Sequence, residues 1–331
     1  MKAILIQNDE RKTLTWSDVP DPAAKPDEVV IKVAYAALNR ADLMQRAGDY
    51  PPPPGWPDWM GLEVSGVIVS MGAEAAAEGR FAVGDKVCAL LGGGGYAEYV
   101  AVPVGMCLPM PKNTSMIEAA AIPEAFATAY LNMFMEGGAQ AGNTLLVTAG
   151  GSGLASVIIP MAKAFGIRVI TTVRSDEKAK AIAHLGADLI VNTKKENLAA
   201  VLKAQLEAGT PVDVVIDCVG GAEMGECLCY LAHGARWVVI AALNGTHVDL
   251  DLRNVYVRNV RIIGSTLRSR TPAVKAQILS KLASDVFEKV ESGVLRPTIH
   301  KVLPITQAEA AHAILSTNEN VGKVVLEVCP M

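Results

Sequence analysis

Short apolar runs with polar punctuation dominate the first third of the chain and predict strands. The segments Glu28–Val33 and Glu63–Val69 are bounded by Pro, Gly or Asp, as strands commonly are. A turn precedes a further strand within Phe81–Val87, and the glycines at 92–95 precede the segment Tyr96–Val100. Short strands separated by Gly and Pro predict a small barrel-like β-rich unit.

From about Ser115 the pattern changes to strands that alternate with helices. Leu145–Thr148 is followed by a helix to about Gly166, and the strand Arg168–Val173 by a helix over Glu177–Leu185. A further helix ends near His233, and the remaining strands are Leu189–Val191, Val212–Asp217, Arg236–Ile240 and Val260–Gly264. Strands separated by helices pair in parallel through right-handed crossovers, so this part predicts a parallel sheet.

After the alternating part, the chain returns to the pattern of its first third. It holds one amphipathic helix over Val274–Ser292 and strand-like segments as far as Val324–Val328. We therefore expect an α/β protein in which a parallel-sheet domain (122–266) is inserted into a β-rich domain made of residues 1–121 and 267–331.

Composition narrows the class of protein. Of the 331 residues 51% are hydrophobic and 19% charged, which favours a large core, and the net charge of −4 gives no sign of a nucleic-acid partner. Charged or polar residues interrupt each long apolar run, and Met1–Gln7 is too short for a signal peptide, so we expect neither a membrane span nor secretion. The six cysteines form no CxxC pair, which favours a reducing cytoplasm.

A glycine-rich turn follows the strand Leu145–Thr148 and opens a helix. It reads Gly150-x-Ser152-Gly153-Leu154-Ala155, with Ser and Ala where the commoner dinucleotide fingerprint has Gly. Glycines let the backbone approach a pyrophosphate, and the helix N-terminus offers it free N–H groups. The turn predicts dinucleotide binding, with an ordinary strand-to-helix turn as the alternative.

The end of the next strand bears on the choice of cofactor. A NAD enzyme carries an acidic residue roughly 20 residues after the loop, for the ribose 2′-hydroxyl. Here Arg174 comes first, with Ser175 beside it and Lys178 close behind, which favours the 2′-phosphate of NADPH. Asp176 lies past the strand end, where it would serve a ribose hydroxyl or cap the next helix. The alternative for Arg174 is a solvated surface charge.

Six strings together resemble one enzyme family. The chain is similar over essentially its whole length to the zinc-free quinone oxidoreductases of the medium-chain dehydrogenase/reductase superfamily, in the zeta-crystallin-like branch that contains the tumour-suppressor-inducible quinone reductase. The matching strings are Ala37–Arg46, Pro52–Gly55, Gly61–Gly66, Ala120–Ala125, Leu267–Arg270 and Asn320–Glu327.

The resemblance implies a GroES-like domain, a Rossmann NADPH-binding domain and a homodimer, with a tetramer as the alternative. The strand near Arg261–Ser265 resembles the edge that pairs across a two-fold axis in this family. Zinc-dependent relatives have a Cys and a Gly-His-Glu string where this chain has Leu38-Asn39 and Gly61-Leu62-Glu63, and the five His are scattered. We therefore expect no zinc.

The resemblance also assigns individual residues. It places Asn39 near the nicotinamide and the substrate, Tyr50 at the mouth of the cleft, and Ser152 against the cofactor. Tyr50 would orient or protonate a quinone oxygen; the alternative is a ring packed on the prolines at 51–54. The alternative for Ser152 is a helix-capping hydroxyl.

Further cofactor contacts carry over, for each of which buried packing is the alternative. Thr128 resembles the nicotinamide-side threonine. Val219 and Gly220 would lie along the adenosine half, and Ala241, Leu243 and Leu267 along the nicotinamide. Thr193 is a departure, because many relatives have there a tyrosine that helps to hold the 2′-phosphate.

The predicted activity is hydride transfer from NADPH to a quinone without a metal. The alternatives are reduction of an enone or enoyl-thioester double bond, and a cofactor-binding, crystallin-like protein with little turnover. For the charged residues Arg40, Asp42 and Glu63 we expect structural roles. Pro160, inside the helix after the glycine loop, predicts a kink near Ser156.

Overall fold

The computed structural model describes residues 1–330, which form two compact units. Unit 1 combines Met1–Ala127 with the residues from Arg268 onward, and unit 2 is Thr128–Leu267. Both helices and strands are abundant in the described residues, and the expected α/β class is confirmed.

The strands of the described residues are β1 (Lys2–Ile6), β2 (Leu14–Asp18), β3 (Glu28–Ala37), β4 (Glu63–Met71), β5 (Lys86–Leu90), β6 (Tyr99–Pro103), β7 (Cys107–Pro109), β8 (Thr144–Val147), β9 (Arg168–Val173), β10 (Leu189–Asn192), β11 (Val214–Asp217), β12 (Arg236–Val239), β13 (Arg261–Gly264), β14 (Ile299–Pro304) and β15 (Lys323–Glu327). The α-helices are α1 (Arg40–Ala47), α2 (Ala73–Glu78), α3 (Met116–Ala120), α4 (Pro123–Tyr130), α5 (Ala155–Ala164), α6 (Asp176–Ile182), α7 (Leu198–Glu207), α8 (Glu223–Cys227), α9 (Leu252–Arg258), α10 (Pro272–Glu291) and α11 (Ala308–Ser316). A π-helical segment, Leu131–Glu136, follows α4.

Unit 1 is built around strand β3. Its β-branched residues Val29, Val30 and Ile31 are buried, and the strand pairs with β4, β6 and β15. The seven-stranded sheet runs β14-β15-β3-β4-β5-β7, with β6 beside β3, and β1 and β2 form a separate hairpin. Two register shifts between β3 and β4 bend the sheet, as bulges do.

Three strand ends meet in unit 1 and determine where its polar groups lie. Because β4 and β15 run antiparallel to β3, the carboxyl end of β3 adjoins the amino ends of both. Asn39 follows β3, Glu63 begins β4 and Lys323 begins β15. The sheet register thus brings together three polar residues that are far apart in sequence.

Unit 2 is a six-stranded parallel sheet in the order β10-β9-β8-β11-β12-β13. The chain proceeds from β8 to β9 and β10 on one side, then returns to β11, β12 and β13 on the other. The strand order therefore reverses between β8 and β11, the position at which open α/β sheets bind ligands outside their carboxyl ends. Trp237 of β12 is the largest side chain buried in this unit's core.

Several helices were not predicted, and the helix predicted to end near His233 ends earlier, at Cys227. No bounds were predicted for helices α1, α2, α3, α4, α7, α9 and α11, and Cys227 ends α8 while Cys229 lies in a following 3-10 turn. All six cysteines are free. Helix α5 continues through Pro160. None of the helices within residues 1–330 combines the length and apolar character that crossing a bilayer requires.

Candidate functional site

The glycine loop of unit 2 packs tightly against the neighbouring strand. A Cβ on Gly150 would lie 2.5 Å from Oγ1 of Thr171 and 2.8 Å from Cδ1 of Ile182, so only glycine fits there. The preceding Ala149 adopts φ +55°, a conformation that costs a non-glycine residue about 1 kcal/mol. Strain at this turn is typical of a functional loop.

The loop offers an anion-binding surface. The backbone N–H groups of Gly151, Gly153 and Leu154 donate to no acceptor within residues 1–330. They precede α5, a helix of 10 residues whose N-terminus carries a partial positive charge. A Cβ on Gly151 would lie 3.3 Å from Cδ of Lys178, so this lysine reaches over the loop. These groups suit a pyrophosphate.

The hydroxyl of Ser152 accepts a hydrogen bond from the N–H of Ala155 at 3.1 Å. The Ser152 hydroxyl thus engages the first N–H of α5, as its helix-capping alternative predicted, although the N-cap residue itself is Leu154. Ser152 is only partly buried, so its side chain is accessible from the loop.

Arg174 directly follows β9 and is exposed, with no hydrogen-bond or ion-pair partner in the described part of the chain. Ser175 is the N-cap of α6 and accepts from the N–H of Lys178 at 3.2 Å. Ser175 thus occupies the capping position that was one of the two alternatives for Asp176. The carboxylate of Asp176 accepts from Asn192 at 2.7 Å and forms an ion pair with Lys195, so it joins the start of α6 to the end of β10.

The loops after β11 and β12 adjoin each other. Leu243 donates its N–H to the carbonyl of Cys218 at 3.2 Å, and Asn244 donates to the carbonyl of Val219 at 2.7 Å. Gly220 has φ +64°, and a Cβ there would lie 2.8 Å from the carbonyl oxygen of Gly245. The structure thus places Val219, Gly220, Ala241 and Leu243 on one edge of the sheet, the edge that also carries the glycine loop.

The remaining predicted cofactor residues lie at the ends of unit 2. Thr128 is its first residue, and its carbonyl accepts from Asn132 at 2.7 Å. Leu267 is its last and is buried. Thr193 donates its hydroxyl to the carbonyl of Val173 at 3.3 Å, which keeps it beside the end of β9.

In unit 1 a buried ion pair joins β4 and β15. Nζ of Lys323 lies 2.6 Å from Oε1 of Glu63, and both side chains are almost fully buried. Asn39 bridges them: its Oδ1 accepts from Lys323 at 2.7 Å, and its Nδ2 donates to Glu63 at 3.1 Å. Both ends of the Asn39 amide are therefore engaged by neighbours.

Two further carboxyls lie close to this pair. Asp42 accepts from the N–H of Asn39 at 2.7 Å and from the hydroxyl of Tyr96 at 3.1 Å, while burial raises its pKa to about 6. Glu124 is partly buried and donates its N–H to Glu63 at 2.8 Å. Burial, and next the charge of Glu63, raise the pKa of Glu124 to about 7.

Tyr50 is held by Arg268. The guanidinium donates to the carbonyl of Tyr50 at 2.9 Å, and its carbon lies 4.8 Å from the ring centroid. It also donates to Gln45 at 2.6 Å and to the carbonyl of Gly92 at 3.0 Å. Burial raises the pKa of Tyr50, so the hydroxyl keeps its proton at neutral pH, and it donates to no acceptor within residues 1–330.

Sequence reasoning assigned no role to Arg268 or Glu124. Both lie inside strings that carried the resemblance, Leu267–Arg270 and Ala120–Ala125. For Glu124 the signal was available, because it is the one charged residue in an otherwise apolar matching string. Arg40, for which a structural role was expected, hydrogen-bonds Asn318 at the other end of unit 1's sequence.

Leu38 and Leu62, which the resemblance places at the zinc positions of zinc-dependent relatives, are buried apolar side chains without a ligating atom. The neighbouring Glu63 is already neutralised by Lys323. No group of three His, Cys, Asp or Glu suited to a metal ion occurs among the residues that the structure describes.

Comparison with known proteins places the chain in a family. The alcohol dehydrogenase GroES-like domain family matches residues 25–112, and the zinc-binding dehydrogenase family matches residues 153–284. The mouse quinone oxidoreductase is 29% identical over 313 residues, 94% of this chain and 92% of its own length. The acryloyl-coenzyme A reductase of Sulfurisphaera tokodaii is 28% identical over 355 residues and covers 99% and 100%.

Solved structures agree with this assignment. The quinone oxidoreductase of Thermus thermophilus, also solved with NADPH, is 31% identical with a TM-score of 0.80, over 99% of this chain and 100% of its own. An NAD-dependent alcohol dehydrogenase is also 31% identical, with a TM-score of 0.83 and the same coverage. The fold and the polar groups define a two-domain oxidoreductase of the nicotinamide-dependent kind. The chain belongs to the medium-chain dehydrogenase/reductase superfamily, and its resemblance to the zeta-crystallin-like quinone oxidoreductases is confirmed.

Proposed function

We propose that the protein is an NADPH-dependent quinone oxidoreductase that works without a metal. The observation that carries the proposal is the exposed, unpartnered Arg174 at the end of β9, on the same sheet edge as the glycine loop. A cation at this position favours a 2′-phosphate, and the quinone oxidoreductases among the relatives suggest the acceptor.

Most of the proposed cofactor contacts lie at the carboxyl ends of the parallel strands of unit 2. The free N–H groups of Gly151, Gly153 and Leu154, and the ammonium of Lys178, would bind the pyrophosphate. Arg174 and Ser175 would bind the 2′-phosphate. The other proposed contacts are Asn39, Thr128, Gly150, Ser152, Val219, Gly220, Ala241, Leu243 and Leu267. When bound, NADPH supplies the hydride.

On the substrate side, Tyr50 would donate a hydrogen bond to a quinone oxygen, because its hydroxyl is protonated at neutral pH and has no acceptor within residues 1–330. Arg268 fixes the backbone of Tyr50 and thus the direction of that donor. Asn39 would act mainly by fixing the end of β3, since Glu63 and Lys323 engage its amide. Ser152 would contact the cofactor while capping α5.

We infer that no metal takes part in the reaction from the side chains available as ligands. Leu38 and Leu62 offer no ligand, and the ammonium of Lys323 lies against Glu63, where it opposes binding of a second cation. Activity that survives dialysis against a strong chelator, in protein without stoichiometric zinc, would support this. Loss of activity that zinc restores would contradict it.

We further propose a cytoplasmic homodimer. The six free cysteines suit a reducing compartment. Strand β13 is an edge of the unit 2 sheet, and Ile262 on it is 41% exposed. An exposed apolar edge favours pairing with another strand, which a second copy would supply.

The direct test is NADPH oxidation by the purified protein with 1,4-quinones, 1,2-quinones and small enones. We expect turnover with at least one quinone, and a lower kcat for Tyr50→Phe with little change in cofactor affinity. Turnover with enones alone would contradict a quinone acceptor. Tight NADPH binding without turnover on any acceptor would indicate a cofactor-binding protein.

A second candidate is an enoyl-thioester reductase. The observation that favours it is the similarity to the acryloyl-coenzyme A reductase over nearly the whole chain. Acryloyl-coenzyme A belongs in the same assay, since a kcat/KM for it well above that for any quinone would favour this candidate.

A further inference from the structure

The two central strands of unit 2 are joined at both ends by Thr–Asp pairs. At the amino ends of β8 and β11, Asp213 accepts from the N–H of Thr144 at 2.8 Å. At the carboxyl ends, Oγ1 of Thr148 donates to Oδ1 of Asp217 at 3.0 Å. Only the second pair lies at the carboxyl ends of the strands where the strand order reverses, which is where open α/β sheets bind their ligands.

The pair at the carboxyl ends captures three successive backbone donors. The N–H of Cys218 donates to Oγ1 of Thr148 at 3.0 Å, and those of Val219 and Gly220 donate to Oδ1 of Asp217 at 2.9 and 3.2 Å. Both side chains are buried, Asp217 to 2% exposure. The other carboxylate oxygen accepts from Nε1 of Trp237 at 3.0 Å, which orients the carboxylate.

These bonds give the loop after β11 its shape. Three N–H groups that converge on one residue pair force the chain to turn sharply, and Gly220 and Gly221 complete the turn at φ +64° and +84°. Because Thr148 also begins the glycine loop, one pair fixes the two loops on either side of the position where the strand order reverses.

We propose that Asp217 and Thr148 form a positioning pair that holds the loop Cys218–Gly221 in the conformation that binds the nicotinamide cofactor. The inference rests on the proposed function, since it takes this edge as the cofactor site. The pair itself acts through the backbone that it fixes, and not by touching the reacting atoms.

Asp217→Asn tests the pair. An amide in place of the carboxylate must turn its NH₂ either toward the indole N–H of Trp237 or toward the three donors around Oδ1, so donors then face each other. Thr148→Val removes the hydroxyl and keeps the shape of the side chain. Thr148→Ser keeps the hydroxyl and removes only the methyl group. Asp213→Asn is the matched control at the other end of β11.

Calorimetric titration of the full chain with NADPH gives the binding constant without any acceptor. We expect Asp217→Asn and Thr148→Val to raise the Kd about tenfold or more, and Asp213→Asn and Thr148→Ser to change it by less than about threefold. In assays with a quinone, the KM for NADPH should rise in parallel while kcat at saturating cofactor stays within about threefold.

Two results would overturn the inference. One is a wild-type Kd in Thr148→Val or in folded Asp217→Asn. The other is an equal rise in Kd at Asp213 and Asp217, which would indicate a general loss of stability. Wild-type protein that binds neither NADPH nor NADH would instead contradict the proposed function, and the inference with it. If Asp217→Asn does not fold, the comparison of Thr148→Val with Thr148→Ser decides.

Discussion

At the residue scale, buried ionisable groups determine how the protein responds to pH. Glu124 in its folded environment has a pKa of about 7, well above the usual value for glutamate. The folded state therefore holds this proton more tightly than the unfolded state does. Its contribution to the free energy of unfolding is present at low pH and is lost as the pH rises from about 4.5 through 7.

Glu124→Gln should remove this pH dependence, because the amide does not titrate. We expect the difference in unfolding free energy between pH 5 and pH 8, measured in urea, to change by on the order of 2 kcal/mol relative to wild type. Glu118→Gln is the control: burial works against it, but hydrogen bonds from Ser115 keep the pKa of Glu118 low. An unchanged pH profile in Glu124→Gln would contradict the assignment.

His312 responds in the opposite direction. It is buried against the ring of Tyr96, neither of its ring nitrogens has a partner within residues 1–330, and burial lowers its pKa to about 4. The unfolded chain binds this proton more readily, so stability should fall as the pH drops from about 6.5 toward 4. His312→Phe should raise the Tm at pH 5 more than at pH 7.5, whereas His184→Phe, at an exposed position, should not. An equal change in Tm at both pH values would contradict a lowered pKa for His312 in the folded protein.

At the element scale, the parallel sheet could be predicted because its signals are local. Apolar strands, glycine turns and helical spacing repeat within short windows, and β9 has the bounds that the pattern gave. Helices α1 and α9 were missed because they are short, and α9 buries none of its residues. The contacts of Arg268 with Tyr50, and of Lys323 with Asn39, depend on the tertiary packing of segments far apart in sequence, which no local pattern reveals.

Helix α5 contains a proline that lowers its stability. Pro160 lies inside it and lacks the N–H that would donate to the carbonyl of Ser156. Pro160→Ala should raise the free energy of unfolding by about 1–3 kcal/mol, with no change in the Kd for NADPH, because the glycine loop lies a full turn away. A lower Tm in thermal unfolding would mean that the proline is needed for packing.

At the scale of the whole molecule, the proposed homodimer depends on the exposed edge strand β13. Ile262→Lys places a charge on that edge and should convert the protein to a monomer in light scattering after gel filtration. Val302→Lys is the matched control, since Val302 is a partly exposed apolar residue on β14, an edge strand of the unit 1 sheet. A monomeric wild type, or an Ile262→Lys variant of unchanged mass, would contradict the dimer.

The central claim is that the protein reduces quinones and prefers NADPH because of Arg174. The most direct measurement is kcat/KM for NADPH and for NADH with one 1,4-quinone, in wild type, Arg174→Ala and the control Lys203→Ala on the exposed surface of α7. We predict a preference for NADPH in wild type and in Lys203→Ala. In Arg174→Ala that preference should fall about tenfold or more through the KM for NADPH, with quinone turnover retained. A wild type without quinone turnover, or an Arg174→Ala variant with the wild-type preference, would contradict the account.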